Sequence, residues 1–292
     1  MDLRALLMGL LFALMWSSAF ATARIIVADA APLATLAARF LISGLLAVGV
    51  ALALGARLTL TRAQWRSVAA FGLLQNAAYL GLNFIALQWV EASLAVIIAA
   101  SMPLMVAALS WAFRGERLPA LGLAGLAAGF AGVALIMGTR LSGGADPLGT
   151  ALCILGALAL AVATLTLRSA SGAQGGLGSL LLIVGLQMLA GSAALAVIAA
   201  LTEPFRLTPT LPLALAFTYQ IFIPGLAATL IWFALVRRIG PTRAATYHFL
   251  NPAFGTAIAA LLLNETLRLT DILGAAIVAA GILAVQLSRR VP

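Results

Sequence analysis

The sequence predicts an all-α membrane protein of ten transmembrane helices, arranged as two inverted five-helix repeats. Three observations predict it. Of 292 residues, 64% are apolar and only 9% are charged, too few to coat a water-facing globule of this size, so most of the exterior must meet lipid. Apolar stretches recur from one end of the chain to the other. The second half also repeats the first at a constant offset.

A window of about 20 residues, enough to cross about 30 Å of hydrocarbon, finds ten such stretches. Their approximate limits are 5–23, 32–54, 68–88, 93–113, 121–138, 148–167, 177–201, 211–236, 244–263 and 272–287. The gaps leave no room for a soluble domain. Arg4 and the triplets Ala19-Phe20-Ala21 and Ala21-Thr22-Ala23 give the first stretch some features of a cleaved signal peptide. It is kept as a span because its removal would leave nine and break the repeat.

The chain carries 17 basic residues, all arginine, against 8 acidic ones. A net charge of +9 suggests an anionic partner such as nucleic acid, but the arginines lie in short gaps between apolar stretches and form no basic face, so nucleic acid is not expected. Their distribution sets orientation instead. With the N-terminus cytoplasmic, twelve face inward: Arg4, Arg57, Arg62, Arg66, Arg114, Arg117, Arg168, Arg237, Arg238, Arg243, Arg289 and Arg290. Four face outward (Arg24, Arg140, Arg206, Arg268), and Arg39 lies within the second span. Both termini are therefore expected on the cytoplasmic side of a bacterial inner membrane. Cys153 is the single cysteine, so no intrachain disulfide and no cysteine-based metal or redox motif is expected.

Sliding the chain against itself by 149 residues places Ala95 on Ala244, Pro103 on Pro252, Glu116 on Glu265, Leu118 on Leu267, Gly125 on Gly274 and Gly132 on Gly281. Each half carries a helix with an interior proline, a Glu-x-Leu turn and a glycine-rich helix. Residues 1–141 hold the first five spans and 142–292 the second five. Because five is odd, the second half enters the membrane in the opposite sense, the geometry that lets a central site face either side in turn.

On these residues the chain resembles the drug/metabolite transporter superfamily, and Trp16-Ser17-Ser18-Ala19-Phe20 is similar to the opening helix of its EamA-type exporters. Within that group it resembles the aromatic amino-acid exporters of the YddG type. The resemblance implies a basket in which spans 1 to 4 and 6 to 9 surround a central cavity, with spans 5 and 10 peripheral.

Polar groups inside hydrocarbon are costly, so their placement guides the search for that cavity. In span 3, Asn76, Tyr79 and Asn83 share one helical face, which either lines a cavity or bonds to neighbouring helices. Span 9 adds Tyr247, His248, Asn251 and Pro252, whose missing N–H frees the carbonyl of His248. Span 4 brings Ser101 and Pro103 towards the same depth, span 8 brings Tyr219, Gln220, Phe222, Pro224, Thr229 and Trp232, and span 1 brings Trp16 and Ser17. Pro103, Pro224 and Pro252 are expected hinges. Aromatic walls with a few amides and hydroxyls suit an amphipathic organic solute, although aromatic stripes also serve plain packing.

All eight acidic residues (Asp2, Asp29, Glu91, Glu116, Asp146, Glu203, Glu265 and Asp271) fall at or near span ends. Proton-coupled pumps and cation exporters generally use carboxylates deep in the membrane, so facilitated movement is expected. The alternative is proton coupling through His248, whose ordinary pKa alone lies near neutrality. Arg39 either snorkels to the outer surface or meets a substrate carboxylate. Glu116 and Glu265 are expected to accept bonds from the exposed amides of the helix that follows each turn. Gly122, Gly125, Gly129 and Gly132 form a smooth stripe that packs inside a monomer or seams a homodimer.

The functional expectation is a secondary transporter exporting aromatic or neutral amino acids and related amphipathic metabolites by alternating access. Export of lipophilic drugs or nucleosides is the alternative. One histidine, one cysteine and no mid-membrane acid pair leave an intramembrane enzyme without a catalytic constellation, and no cofactor or metal is expected. The partners are then a small-molecule substrate and the lipid bilayer.

Overall fold

The structure is a computed structural model that describes residues 2–114, 119–168, 176–239, 244 and 246–288. Ten helical spans lie among them. Eight are long and apolar enough to cross a membrane: Leu3–Asp29, Pro32–Ala53, Arg62–Ala86, Ala92–Phe113, Ala120–Ser142, Pro147–Thr166, Leu177–Thr202 and Leu211–Val236. Two shorter apolar helices, Asn251–Leu263 and Leu269–Val285, complete the set. These are spans 1 to 10 in chain order, with 246–250 leading into span 9. Span 1 runs six residues beyond its expected outer limit, to Asp29, because Ile25 to Ala28 continue the apolar run past Arg24 and the helix stops only before Pro32.

The packing repeats itself as two related halves require. Span 2 pairs most extensively with span 7 and span 5 with span 10, each with its counterpart in the other half. Span 1 meets spans 8 and 9, as span 6 meets spans 3 and 4. The counterpart pairs run antiparallel: Gly44 opposes Gly185 while Ala37 opposes Ser192, and Gly125 opposes Gly281 while Gly132 opposes Gly274. Antiparallel counterparts are what inversion produces.

Spans 5 and 10 approach so closely that a Cβ on Gly281 would sit 2.5 Å from the Gly125 carbonyl oxygen. Gly125, Gly129 and Gly132 of the stripe are therefore packed within the chain, against spans 4 and 10.

Each expected hinge proline sits where the helix departs from regular α geometry. Span 4 breaks at Ser101, between Ala92–Ala100 and Met102–Arg114, just ahead of Pro103. Span 9 opens with a 3-10 turn, Thr246–Leu250, before Asn251 and Pro252. Span 8 contains a π-helical segment, Ile221–Ala227, around Pro224. Span 3 contains another, Gly72–Tyr79, without any proline. The two π segments begin exactly one repeat offset apart, so the irregularity belongs to the fold and not to proline alone.

At the end of the bundle that holds Asp29, Glu203 and Glu265 the spans are tied together by charge. Glu203 accepts from the amides of Leu33 and Ala34 at the start of span 2, at 2.9 to 3.0 Å, where the exposed amides and helix dipole favour an anion. Arg140 is 2% exposed and bonds Asp271, at 3.0 Å from Nε and 2.5 Å from Nη2, and also Glu91. Arg206 donates to the carbonyls of Val27 and Ala30. Glu265 accepts from the amides of Ala92 and Ser93 at the start of span 4. This corrects the expectation that its carboxylate would serve the next helix, because the turn folds back over the opposite half. Glu116 lies outside the described residues.

Candidate substrate site

Span 1 is the axis of the site. Trp16 lies about 20 Å along it from Leu3, at 1.5 Å per residue, near the middle of the helix. Span 1 carries aromatic and small residues towards spans 8 and 9, which lean on it because Gly9 lets the Tyr247 ring lie against the backbone: a Cβ there would fall 2.1 Å from a ring carbon.

Four rings then gather. Phe12 stands 4.7 Å from Trp232 and 5.8 Å from Trp16, centroid to centroid. His248 meets three of them edge-on or nearly so: Trp232 at 4.9 Å, Phe12 at 5.1 Å and Trp16 at 6.2 Å. Such pairs each contribute about 0.5–1.5 kcal/mol beyond the area they bury. Phe12 is fully buried, whereas Trp16, Trp232, Tyr247 and His248 are only partly so. Phe12 is thus the floor of the cluster, and the other rings form its accessible face.

Polar groups flank the rings. The Asn251 amide is 3.0 Å from His248 Nδ1, and its Oδ1 is buried with no partner. Ser17 donates to the Asn251 carbonyl at 3.3 Å. Next along span 1, the Tyr219 hydroxyl pairs with Ser18 at 2.8 Å, and Gln220 donates to the Ala19 carbonyl and to Thr22, at 2.8 and 3.0 Å. Gln220 Oε1 is buried without a partner. A buried, unpartnered acceptor is costly, and is an available place for a donor on a ligand.

Span 3 packs mainly against spans 6 and 7. Asn76 packs against Gly191 of span 7, and Tyr79 and Asn83 against Gly156 of span 6. Asn83 donates to the Tyr79 carbonyl at 2.8 Å and leaves its Oδ1 buried and unpartnered. All three residues are at most 4% exposed, and among the described residues none makes a hydrogen bond or ring contact with the ring cluster. Ser101 is fully buried and donates to the Ile98 carbonyl at 2.6 Å, so its hydroxyl is committed to the break in span 4.

Sequence reasoning missed Phe12 and Ser18 as site residues, since Phe12 carries no signal separating it from its neighbours, whereas Gln220 was read as an amide on span 8. Nor does Arg39 snorkel: it is 6% exposed, and its Nε is buried without a partner. An arginine at membrane depth costs about 2.5–3.5 kcal/mol on insertion scales, so leaving one unpaired asks for a reason.

A groove of about 370 Å³ between spans 2 and 7 is lined mainly by alanines, with Glu203 and Phe205 also in its wall. None of the expected site residues lines it.

The EamA-like transporter family matches residues 3–138 and again residues 147–287. The chain belongs to that family. Two matches in tandem are the repeat seen in the packing, and the family and its relatives make this protein a transporter and not an enzyme. It is 29% identical over 284 residues to the uncharacterized transporter YvbV of Bacillus subtilis (strain 168), covering 97% of this chain and 91% of that one. It is also 29% identical over 289 residues to the uncharacterized inner membrane transporter YedA of Escherichia coli (strain K12), with the same coverage. A chain of known crystal structure superimposes with a TM-score of 0.67 over 99% of both chains at 22% identity, a likeness that concerns the fold alone. The protein is a multi-pass membrane transporter of the EamA fold.

Proposed function

We propose that this transporter exports aromatic or neutral amino acids and related amphipathic metabolites across a bacterial inner membrane by facilitated alternating access. The observation that carries the reading is the ring cluster of Phe12, Trp16, Trp232 and His248 at mid-membrane, bordered by the unpartnered acceptor of Asn251. Aromatic faces take up an apolar body, and the amide oxygens take up its donors. Trp16, Ser17, Tyr219, Trp232, Tyr247, His248 and Asn251 form the wall in this reading. Asn76, Tyr79, Asn83 and Ser101, on spans 3 and 4, line a separate part of the substrate path in this reading, with Pro103, Pro224 and Pro252 as hinges.

The halves 1–141 and 142–292 rock about span contacts that are antiparallel counterparts. The membrane is the inner one, as for YedA, and both termini are cytoplasmic. Supporting this orientation, Arg57, Arg62 and Arg66 make no ion pair among the described residues, whereas each of the four outer arginines is bonded to a carbonyl or carboxylate. The excess of arginine falls on the same side, as in cytoplasmic loops, although Arg238 there is paired with Asp2. Uptake of radiolabelled tryptophan into vesicles by Trp232→Ala tests the wall: loss of at least ten-fold with normal expression supports it, and full activity contradicts it.

A further inference from the structure

We propose that Arg39, together with Ser43 one turn along span 2, anchors the carboxylate of the transported solute. The proposal rests on the amino-acid reading above and names the group by which such a solute is held.

Arg39 is buried to 94%, being 6% exposed, and its guanidinium makes no hydrogen bond or ion pair among the described residues. The adjacent Phe40 ring lies 5.1 Å from it. Every described acid is occupied elsewhere. Asp2 pairs with Arg238, Asp29 with Thr210, and Glu91 and Asp271 with Arg140. Asp146, Glu203 and Glu265 accept from helix-start amides. The charge on Arg39 thus has no counter-ion among the described residues.

Ser43 lies on the same helical face four residues on. It is fully buried, and its hydroxyl has no partner. It touches span 8 where the π segment lies: a Cβ on Gly225 would be 3.4 Å from Ser43 Oγ and 2.8 Å from the Gln220 carbonyl oxygen. Two donors, a guanidinium and a hydroxyl, are therefore held on one face without acceptors, and a carboxylate supplies the acceptors both lack. Gln220, on the facing span, keeps an unpartnered buried acceptor, which suits the ammonium of a zwitterion. Buried charges are normally paired, and here the missing partner is the cargo.

The test uses the full chain in proteoliposomes with three indole solutes: tryptophan, indole-3-propionate, which lacks the ammonium, and tryptamine, which lacks the carboxylate. Wild type is expected to move the two carboxylates in preference to tryptamine. Arg39→Gln should raise KM at least ten-fold for both carboxylates without raising it for tryptamine, and Arg39→Lys should recover part of the loss. Removing an unpaired buried charge should leave the thermal midpoint unchanged or higher. Unchanged KM for the carboxylates in Arg39→Gln overturns the proposal while leaving amino-acid export standing. Should that variant fail to fold, Ser43→Ala decides: a several-fold rise in KM for the carboxylates alone supports the anchor, and no rise overturns it. Wild-type flux of tryptamine with none of either carboxylate overturns both readings.

Discussion

Glu265, in the turn between spans 9 and 10, accepts hydrogen bonds from the backbone amides of Ala92 and Ser93, at 2.7 and 2.9 Å. The contact reaches across the repeat, from the second half to the first, and its charge sits on the positive end of a helix dipole. Arg24 stands 3.9 Å from the same carboxylate. Replacing Glu265 by Ala leaves two span-4 amides without an acceptor and should cost about 1.5–3 kcal/mol. Gln should cost less, since it retains one acceptor oxygen. Thermal unfolding of the detergent-solubilised protein measures both.

The ten spans, the repeat and the glycine stripe were legible in the sequence because hydropathy and a constant offset are one-dimensional signals. The partner of Glu265 was not legible. Its amides lie 173 and 172 residues away, and nothing local to a Glu-x-Leu turn says which helix start will fold beneath it. The same limit explains Arg39, whose single charge in an apolar span reads equally well as snorkelling or as buried until the neighbouring helices are placed. Site residues on span 9 were visible as polar interruptions. Phe12, an aromatic among aliphatic residues, was not, and the π segment in span 3 has no residue such as Pro224 to mark it.

The Arg140–Asp271 pair is nearly inaccessible, at 2% and 1% exposure. Breaking one side leaves an uncompensated buried charge, so Asp271→Asn should destabilise by about 3–5 kcal/mol. The double replacement Arg140→Met with Asp271→Leu should recover most of that loss. Denaturant or thermal unfolding of the two single variants and the double variant checks it, and equal losses in all three would contradict the pairing.

Spans 5 and 10 tolerate no side chain at their closest approach. Gly281→Leu places its Cβ within 2.8 Å of backbone atoms of Gly125 and Gly129, and overpacking of this kind costs about 1–3 kcal/mol. Cysteine cross-linking between the two spans should report their separation. An undiminished thermal midpoint with intact cross-linking would show that the seam is looser than described.

With no carboxylate deep in the described spans, downhill movement needs no protonatable side chain. His248→Ala should lose affinity through the missing ring contacts yet still equilibrate substrate across vesicles. Complete loss of downhill flux, with protein present at the normal level, would assign His248 a proton-transfer role instead.

Counterflow in proteoliposomes preloaded with single solutes tests the transport reading most directly. Tryptophan and phenylalanine are compared with threonine, alanine and a lipophilic cation, with and without a pH gradient. Exchange of the aromatic amino acids at a rate that ignores the gradient is the predicted result. Flux of the cation with none of any amino acid would contradict it and move the ring cluster of Trp16, Trp232 and His248 to the service of a different cargo.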